Sequence, residues 1–117
     1  MLLRIDPASP VPLFEQLAAS VRSEAGRGNL RSGDRLPPAR DVADSLDVNV
    51  HTVLRAYQVL RDEGLVDLRR GRGAVVTERV THYSKLGEAI PRLVASAKEI
   101  GLGAHTLTAM IRQEYDS

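Results

Sequence analysis

The run from Leu36 to Val76 constrains this chain more than any other stretch. It opens with Leu36-Pro37-Pro38-Ala39-Arg40 and passes through a short amphipathic segment to Val48-Asn49-Val50-His51-Thr52-Val53-Leu54-Arg55-Ala56-Tyr57. It closes with Asp62-Glu63-Gly64-Leu65-Val66 and a Gly-punctuated basic turn, Arg69-Arg70-Gly71-Arg72-Gly73. In order, that predicts a helix, a tight turn, a helix and a hairpin with arginines at its tip. A small domain of this shape can set one helix in a DNA groove with the hairpin beside it.

Ala39, Val42, Ala43 and Leu46 trace a one-sided helix that Asp47-Val48-Asn49 breaks. Asn49 suits the N-cap of the next helix, which runs through Glu63 to a stop at Gly64. At about 100° per residue, Val53, Ala56, Tyr57 and Leu60 share one face of that helix, and His51, Arg55, Gln58 and Asp62 lie nearly opposite. One side is core; the other offers donors and acceptors outward. Leu65–Leu68 and Ala74–Thr77 read as the strands of the hairpin. Two strands alone are marginal, so this hairpin must lean on the helices.

Upstream, Pro7, Pro10 and Pro12 give an extended lead-in, and Pro12 fits a helical first turn. Phe14, Leu17, Ala18, Val21 and Ala25 then recur at helical spacing until Gly26 and Gly28. Leu30 to Pro38 reads as a connector with a turn at Gly33-Asp34. Downstream, Leu86, Ile90, Leu93, Val94, Ala97 and Ile100 form a stripe interrupted by Pro91, which either starts the helix near residue 88 or kinks it. After Gly101 and Gly103, Leu107, Met110, Ile111 and Tyr115 form a last stripe. The short link predicts that these two helices fold back antiparallel. They are too small for a core of their own, so their apolar faces need the first domain or a second copy. The expected organisation is one domain over 1–79 and a helical segment over 80–117, mainly α with a small β element.

With one Phe, three Tyr and no Trp, the core must be aliphatic. The absence of cysteine removes disulfides, thiolate metal sites and Cys nucleophiles. His82 and His105 lack ligand spacing, and no metal is expected. A net charge of +1 is no nucleic-acid signature, so any positive face must come from placement rather than excess. No apolar run approaches the roughly 20 residues that span a bilayer, and no signal peptide is visible, so a soluble cytoplasmic protein without membrane partners is expected.

The sequence resembles the GntR-type bacterial transcription regulators, specifically their short YtrA-like subfamily. The residues that carry the resemblance are Val11-Pro12-Leu13-Phe14-Glu15-Gln16, Gly33-Asp34-Arg35-Leu36-Pro37, Arg40, Ala43 and Leu46. They continue with Asn49, Thr52-Val53, Arg55-Ala56-Tyr57, Glu63-Gly64-Leu65-Val66, Arg70-Gly71-Arg72-Gly73 and Ala97-Lys98-Glu99-Ile100-Gly101-Leu102. The resemblance implies a winged helix-turn-helix, dimerisation through the C-terminal helices and binding to an inverted-repeat operator. Pro38 stands where the family often has Ser, and Val50 where it often has Arg or Pro. Operator sequence therefore cannot be borrowed from relatives. Longer members carry an aminotransferase-like domain with a pyridoxal cofactor; this chain is too short for one, and no cofactor is expected.

The candidate DNA contacts are Arg40, Asn49, Val50, His51, Thr52, Arg55, Arg69, Arg70, Gly71 and Arg72. Arg40 can grip a phosphate or a base edge, or merely pair with Asp41 or Asp44. Asn49 can read DNA or serve only as a cap; His51 can be an ordinary surface histidine; the Thr52 methyl can pack. Arg55 is the strongest candidate on the outer face. Arg69, Arg70 and Arg72 can enter a minor groove from a wing tip that glycine makes tight, or simply solubilise a hairpin. The candidate dimer face is Leu86, Ile90, Leu93, Val94, Ala97, Leu107, Met110 and Ile111.

An enzyme is disfavoured, because no triad, phosphate loop or metal motif stands out. The rival to a DNA-binding repressor is a winged-helix module that docks protein. Salt separates the two, since DNA affinity falls steeply as salt rises. A tail of about 38 residues cannot enclose a ligand cavity by itself, so a small-molecule effector would sit at a subunit or domain junction.

Overall fold

The computed structural model describes residues 3–117, so the first two residues of the expected 1–79 domain lie outside it. Among the described residues the elements are α1 (Leu13–Gly26), α2 (Ala39–Leu46), α3 (Val50–Asp62), β1 (Val66–Arg69), β2 (Gly73–Val76), α4 (Val80–Glu99) and α5 (Ala104–Asp116). The chain divides into two compact units, Met1–Gly87 and Glu88–Ser117.

The first unit is built on α1 against α3. Leu17, Ala18, Val21 and Ala25 of α1 and Val53, Ala56, Tyr57 and Leu60 of α3 are all buried in one cluster. The two helices are tied at both ends. Arg55 lies over the ring of Phe14, and the Arg22 guanidinium donates to both carboxylate oxygens of Glu63 at 2.9–3.2 Å. Both pairs have a sequence offset of 41, so α1 and α3 run in the same direction. The Glu63 hydrogen bond is also the main reason the Arg22 pKa is raised. Leu30, Leu36, Val42, Ala43, Leu65, Val66, Ala74, Val76 and Val80 complete the core, which is aliphatic apart from Tyr57.

Helix ends fix how α3 is presented. Asn49 is extended, and its side chain accepts the His51 N–H at 2.8 Å, capping α3. At the far end Leu65 N–H reaches the Leu60 carbonyl at 3.0 Å around Gly64, whose φ of +84° suits glycine. The turn between α2 and α3 closes in the same way, with Val48 N–H on the Ala43 carbonyl at 3.0 Å. Here Asp47 takes the left-handed conformation at φ 55°, which short polar side chains tolerate better than others.

The hairpin pairs Val66 with Val76, Asp67 with Val75, Leu68 with Ala74 and Arg69 with Gly73. It does not depend on the helices alone, as the sequence suggested. The supposed connector supplies a third extended piece along β2, with an Arg35–Val75 bridge. Leu36 N–H donates to the Ala74 carbonyl at 2.9 Å, and Val76 N–H to the Asp34 carbonyl at 2.7 Å.

Pro91 neither starts α4 nor marks its edge, because the helix runs through it from Val80. Proline cannot donate to the Gly87 carbonyl, so the helical ladder lacks one bond at that level. The first turns of α4 belong to the first unit. Val80 is buried, the Ser84 hydroxyl is 3.3 Å from the Ala25 carbonyl, and Gly87 lies against the backbone of Gly26. A Cβ on Gly87 would collide with the Gly26 Cα and carbonyl. These contacts put the division at residues 87 and 88, beyond the expected one at 79 and 80.

In the second unit, α4 and α5 do not pack along one another, which corrects the expected antiparallel hairpin. The Ile100–Gly103 link closes the end of α4, with Leu102 N–H on the Ala97 carbonyl at 3.0 Å, but does not lay α5 back on it. α5 buries no residue.

Candidate nucleic-acid interface

The second residue of α2 is Arg40, exposed and without a hydrogen bond or ion pair among the described residues. The bland alternative for it, a bridge to Asp41 or Asp44, is not formed. Its helix is held by a contact at the preceding bend. The Tyr57 hydroxyl donates to the Pro37 carbonyl at 2.5 Å, tying the Leu36-Pro37-Pro38 segment to α3. Burial pushes the Tyr57 pKa up to about 12. Tyr57, read from the sequence as core packing alone, therefore also positions the N-terminus of α2.

On α3, His51, Leu54, Arg55, Gln58, Arg61 and Asp62 are exposed. Val50 and Thr52 are half-buried, and Val50 packs against the core. Asn49 does cap the helix, which leaves its amide N–H groups without a partner among the described residues. Arg55 has no hydrogen bond or ion pair there either; what holds it is Phe14, with the guanidinium carbon 3.8 Å from the ring centroid.

The wing tip is closed by Arg72 N–H on the Arg69 carbonyl at 3.0 Å, and Gly71 sits inside that turn at φ +81°. A side chain is strained there, so glycine keeps the tip narrow between Arg70 and Arg72. All three wing arginines are exposed. Arg69 approaches Asp67 at 3.5 Å, a long and exposed pair that adds little.

Between α3 and the wing lies a cleft of about 930 Å³. Arg35, Arg69, Arg70 and Arg72 line it together with Leu54, Gln58, Leu68, Pro37 and Pro38, and no acidic residue does. Positive charge is thus concentrated by placement in a chain of net charge +1. Arg35, Leu54, Gln58 and Leu68 were not among the sequence candidates. Gln58 had been placed on the outer face, whereas Arg35 reaches the cleft only through its bridge to Val75 and the bond from its Nε to the Arg72 carbonyl at 3.0 Å.

The tail candidates differ among themselves. Leu86, Ile90, Leu93, Met110 and Ile111 are exposed, while Val94 and Leu107 are half-buried. Ala97 is buried inside its own unit at the α4 end, so it is not part of a free face. Ile100 and Tyr115 are the most exposed apolar side chains of the tail. No group of three or more His, Cys, Asp or Glu among the described residues is placed to hold a metal ion. No described helix is long and apolar enough to cross a membrane.

Two helices joined by a tight turn, with an arginine-tipped hairpin beside the second, define a DNA-binding winged helix-turn-helix. The family described as bacterial regulatory proteins of the gntR type matches residues 13–76, and the chain belongs to it. It is 28% identical to the HTH-type transcriptional repressor YtrA of Bacillus subtilis, over 96% of this chain and 91% of that one. It is 34% identical to an HTH-type transcriptional regulator of Mycobacterium tuberculosis, over 86% of this chain and 83% of that one. Among solved structures, YtrA from Sulfolobus acidocaldarius, a GntR-family transcription factor, is 35% identical with a TM-score of 0.62, over 81% of this chain and 99% of that one. The relatives are transcriptional regulators, and this chain is a transcriptional regulator rather than an enzyme.

Proposed function

We propose that the protein is a homodimeric repressor acting in the cytoplasm on a pseudo-palindromic DNA operator. The observation that carries this reading is the cleft beside α3, which four arginines line and no acid does. A duplex backbone fits such a cleft, with α3 entering the major groove and the wing tip reaching the adjacent minor groove. Arg40, Arg55, Arg70 and Arg72 are the main contacts, with His51, Thr52, Asn49 and Arg69 at the margins. Val50 serves the core more than the base edges, and Gly71 shapes the tip.

Dimerisation is assigned to residues 80–117, through Leu86, Ile90, Leu93, Met110 and Ile111, with Val94 and Leu107 at the edge. Two-fold symmetry then sets half-sites about one helical turn apart, or a multiple of it. Repression follows where the operator overlaps a promoter. An effector, where one acts, binds where two subunits meet.

The test uses duplexes that the full chain selects from a random-sequence pool. Arg40→Ala and Arg55→Ala each abolish binding to the selected duplex at near-physiological salt, with circular dichroism and sedimentation unchanged. Unaltered affinity in gel shift refutes the assignment. Failure of the chain to enrich any duplex from the pool, even at low salt, supports the rival protein-docking module.

A further inference from the structure

We propose that Phe14 is a positioning residue for DNA reading, acting through Arg55. This rests on the reading of Arg55 as a DNA contact and goes beyond it, because Phe14 lies on α1, outside the helix-turn-helix.

Arg55 is exposed on the outer side of α3, where a long side chain in water samples many rotamers. Here it has one seat, with its guanidinium carbon 3.8 Å from the centre of the Phe14 ring. The other seated arginines are held differently. Arg22 is locked on the Glu63 carboxylate, and Arg35 donates to the Arg72 carbonyl. Those bonds consume N–H donors. A ring face holds the cation by its quadrupole and leaves the donor edges uncommitted, and no Arg55 N–H is hydrogen-bonded among the described residues. The guanidinium is therefore fixed in place yet fully available to a phosphate or a guanine edge.

Phe14 is itself well supported. It is half-buried against the core, one turn before buried Leu17 and Ala18. The Gln16 side chain fastens the preceding lead-in, accepting Asp6 N–H at 2.6 Å and donating to the Val11 carbonyl at 2.8 Å. The Arg22–Glu63 pair fixes the far ends of the same two helices. Ordering a side chain before association removes a cost that binding otherwise carries. A fixed guanidinium also favours one base pattern over another, whereas a mobile one grips any phosphate.

The experiment is a double-mutant cycle on the full chain, using the selected duplex and a scrambled duplex at lowered salt, where weakened variants still bind measurably. Phe14→Leu is expected to lose about fivefold in affinity for the selected duplex and less than half of that for the scrambled one. In an Arg55→Ala background the same change costs less than about twofold, and with Arg55 present Phe14→Tyr, which keeps a ring face, binds like the unaltered protein. In the free protein, Phe14→Leu removes the ring-current shift of the Arg55 side-chain protons while thermal unfolding reports the fold. Equal losses with and without Arg55, or equal losses on both duplexes, overturn the proposal and leave Phe14 a helix-pairing residue. If Arg55→Ala alone leaves affinity for the selected duplex unchanged, the Arg55 assignment itself fails, and that result is distinct from the other two.

Discussion

The two units treat apolar side chains in opposite ways. In Met1–Gly87 the stripes of α1 and α3 close on each other and on the hairpin, and Leu17, Val53, Leu60, Leu65 and Val66 keep at most 1% of their surface. In Glu88–Ser117, Ile90, Leu93, Met110 and Ile111 keep between 40% and 53%. Burial of the first kind is complete within one chain. The second unit has no such closure, and a second copy would supply it, with a stability that depends on protein concentration. Under the proposed dimerisation, the unit that carries the helix-turn-helix closes by itself while the tail's closure responds to protein abundance.

The largest effect that would break this contrast is a cavity in the first unit. Leu60→Ala is expected to cost about 2–5 kcal/mol in urea unfolding, and the same amount at every protein concentration. Next comes Gly87→Ala, which forces a methyl group against the Gly26 backbone and is expected to cost about 1–3 kcal/mol by the same measurement. A cost near zero would mean that the start of α4 is not anchored on α1.

Tyr57→Phe removes the hydroxyl bond to Pro37 and is expected to cost about 0.5–1.5 kcal/mol. It also carries a pH signature. The folded pKa of Tyr57 is raised to about 12 against an unfolded value near 10, so its contribution is complete below about pH 10 and is lost as pH rises towards 12. Comparing alkaline unfolding of the two proteins checks this, because the Phe variant lacks that step. The smallest effect on the fold of the first unit is expected from Leu93→Asp and Ile111→Asp, within about 0.5 kcal/mol. Their effect appears instead in sedimentation, where dimer becomes monomer; an intact dimer in both variants removes the assigned interface.

Much of the first unit was legible because its signals are local. The 100° periodicity of Val53, Ala56, Tyr57 and Leu60 gave the buried face of α3, and Asn49 and Gly64 gave its ends. What was not legible depends on residues far apart in sequence. Tyr83 and Ser84 gave no helical signal, and Gly87 reads as a helix breaker until Gly26 is seen beneath it. Arg35 looked like part of a loop because its role depends on Val75. Phe14 sat on the right stripe but at its end, where periodicity cannot tell a core residue from a platform for Arg55. The tail misled for a related reason: the short link between α4 and α5 suggested that they fold back on each other, although a short link fixes only where the second helix starts and not where it leads.

The glycine contact also sets where this protein can be cut and rejoined. A chimera that grafts a foreign oligomerisation tail at the end of the hairpin would discard Val80, Ser84 and Gly87, uncovering part of the core and releasing the end of α1. A junction placed after Gly87 keeps all three, so the exchangeable module begins two helical turns later than the strands suggest, and any donor tail inherits the α4 start as its adaptor.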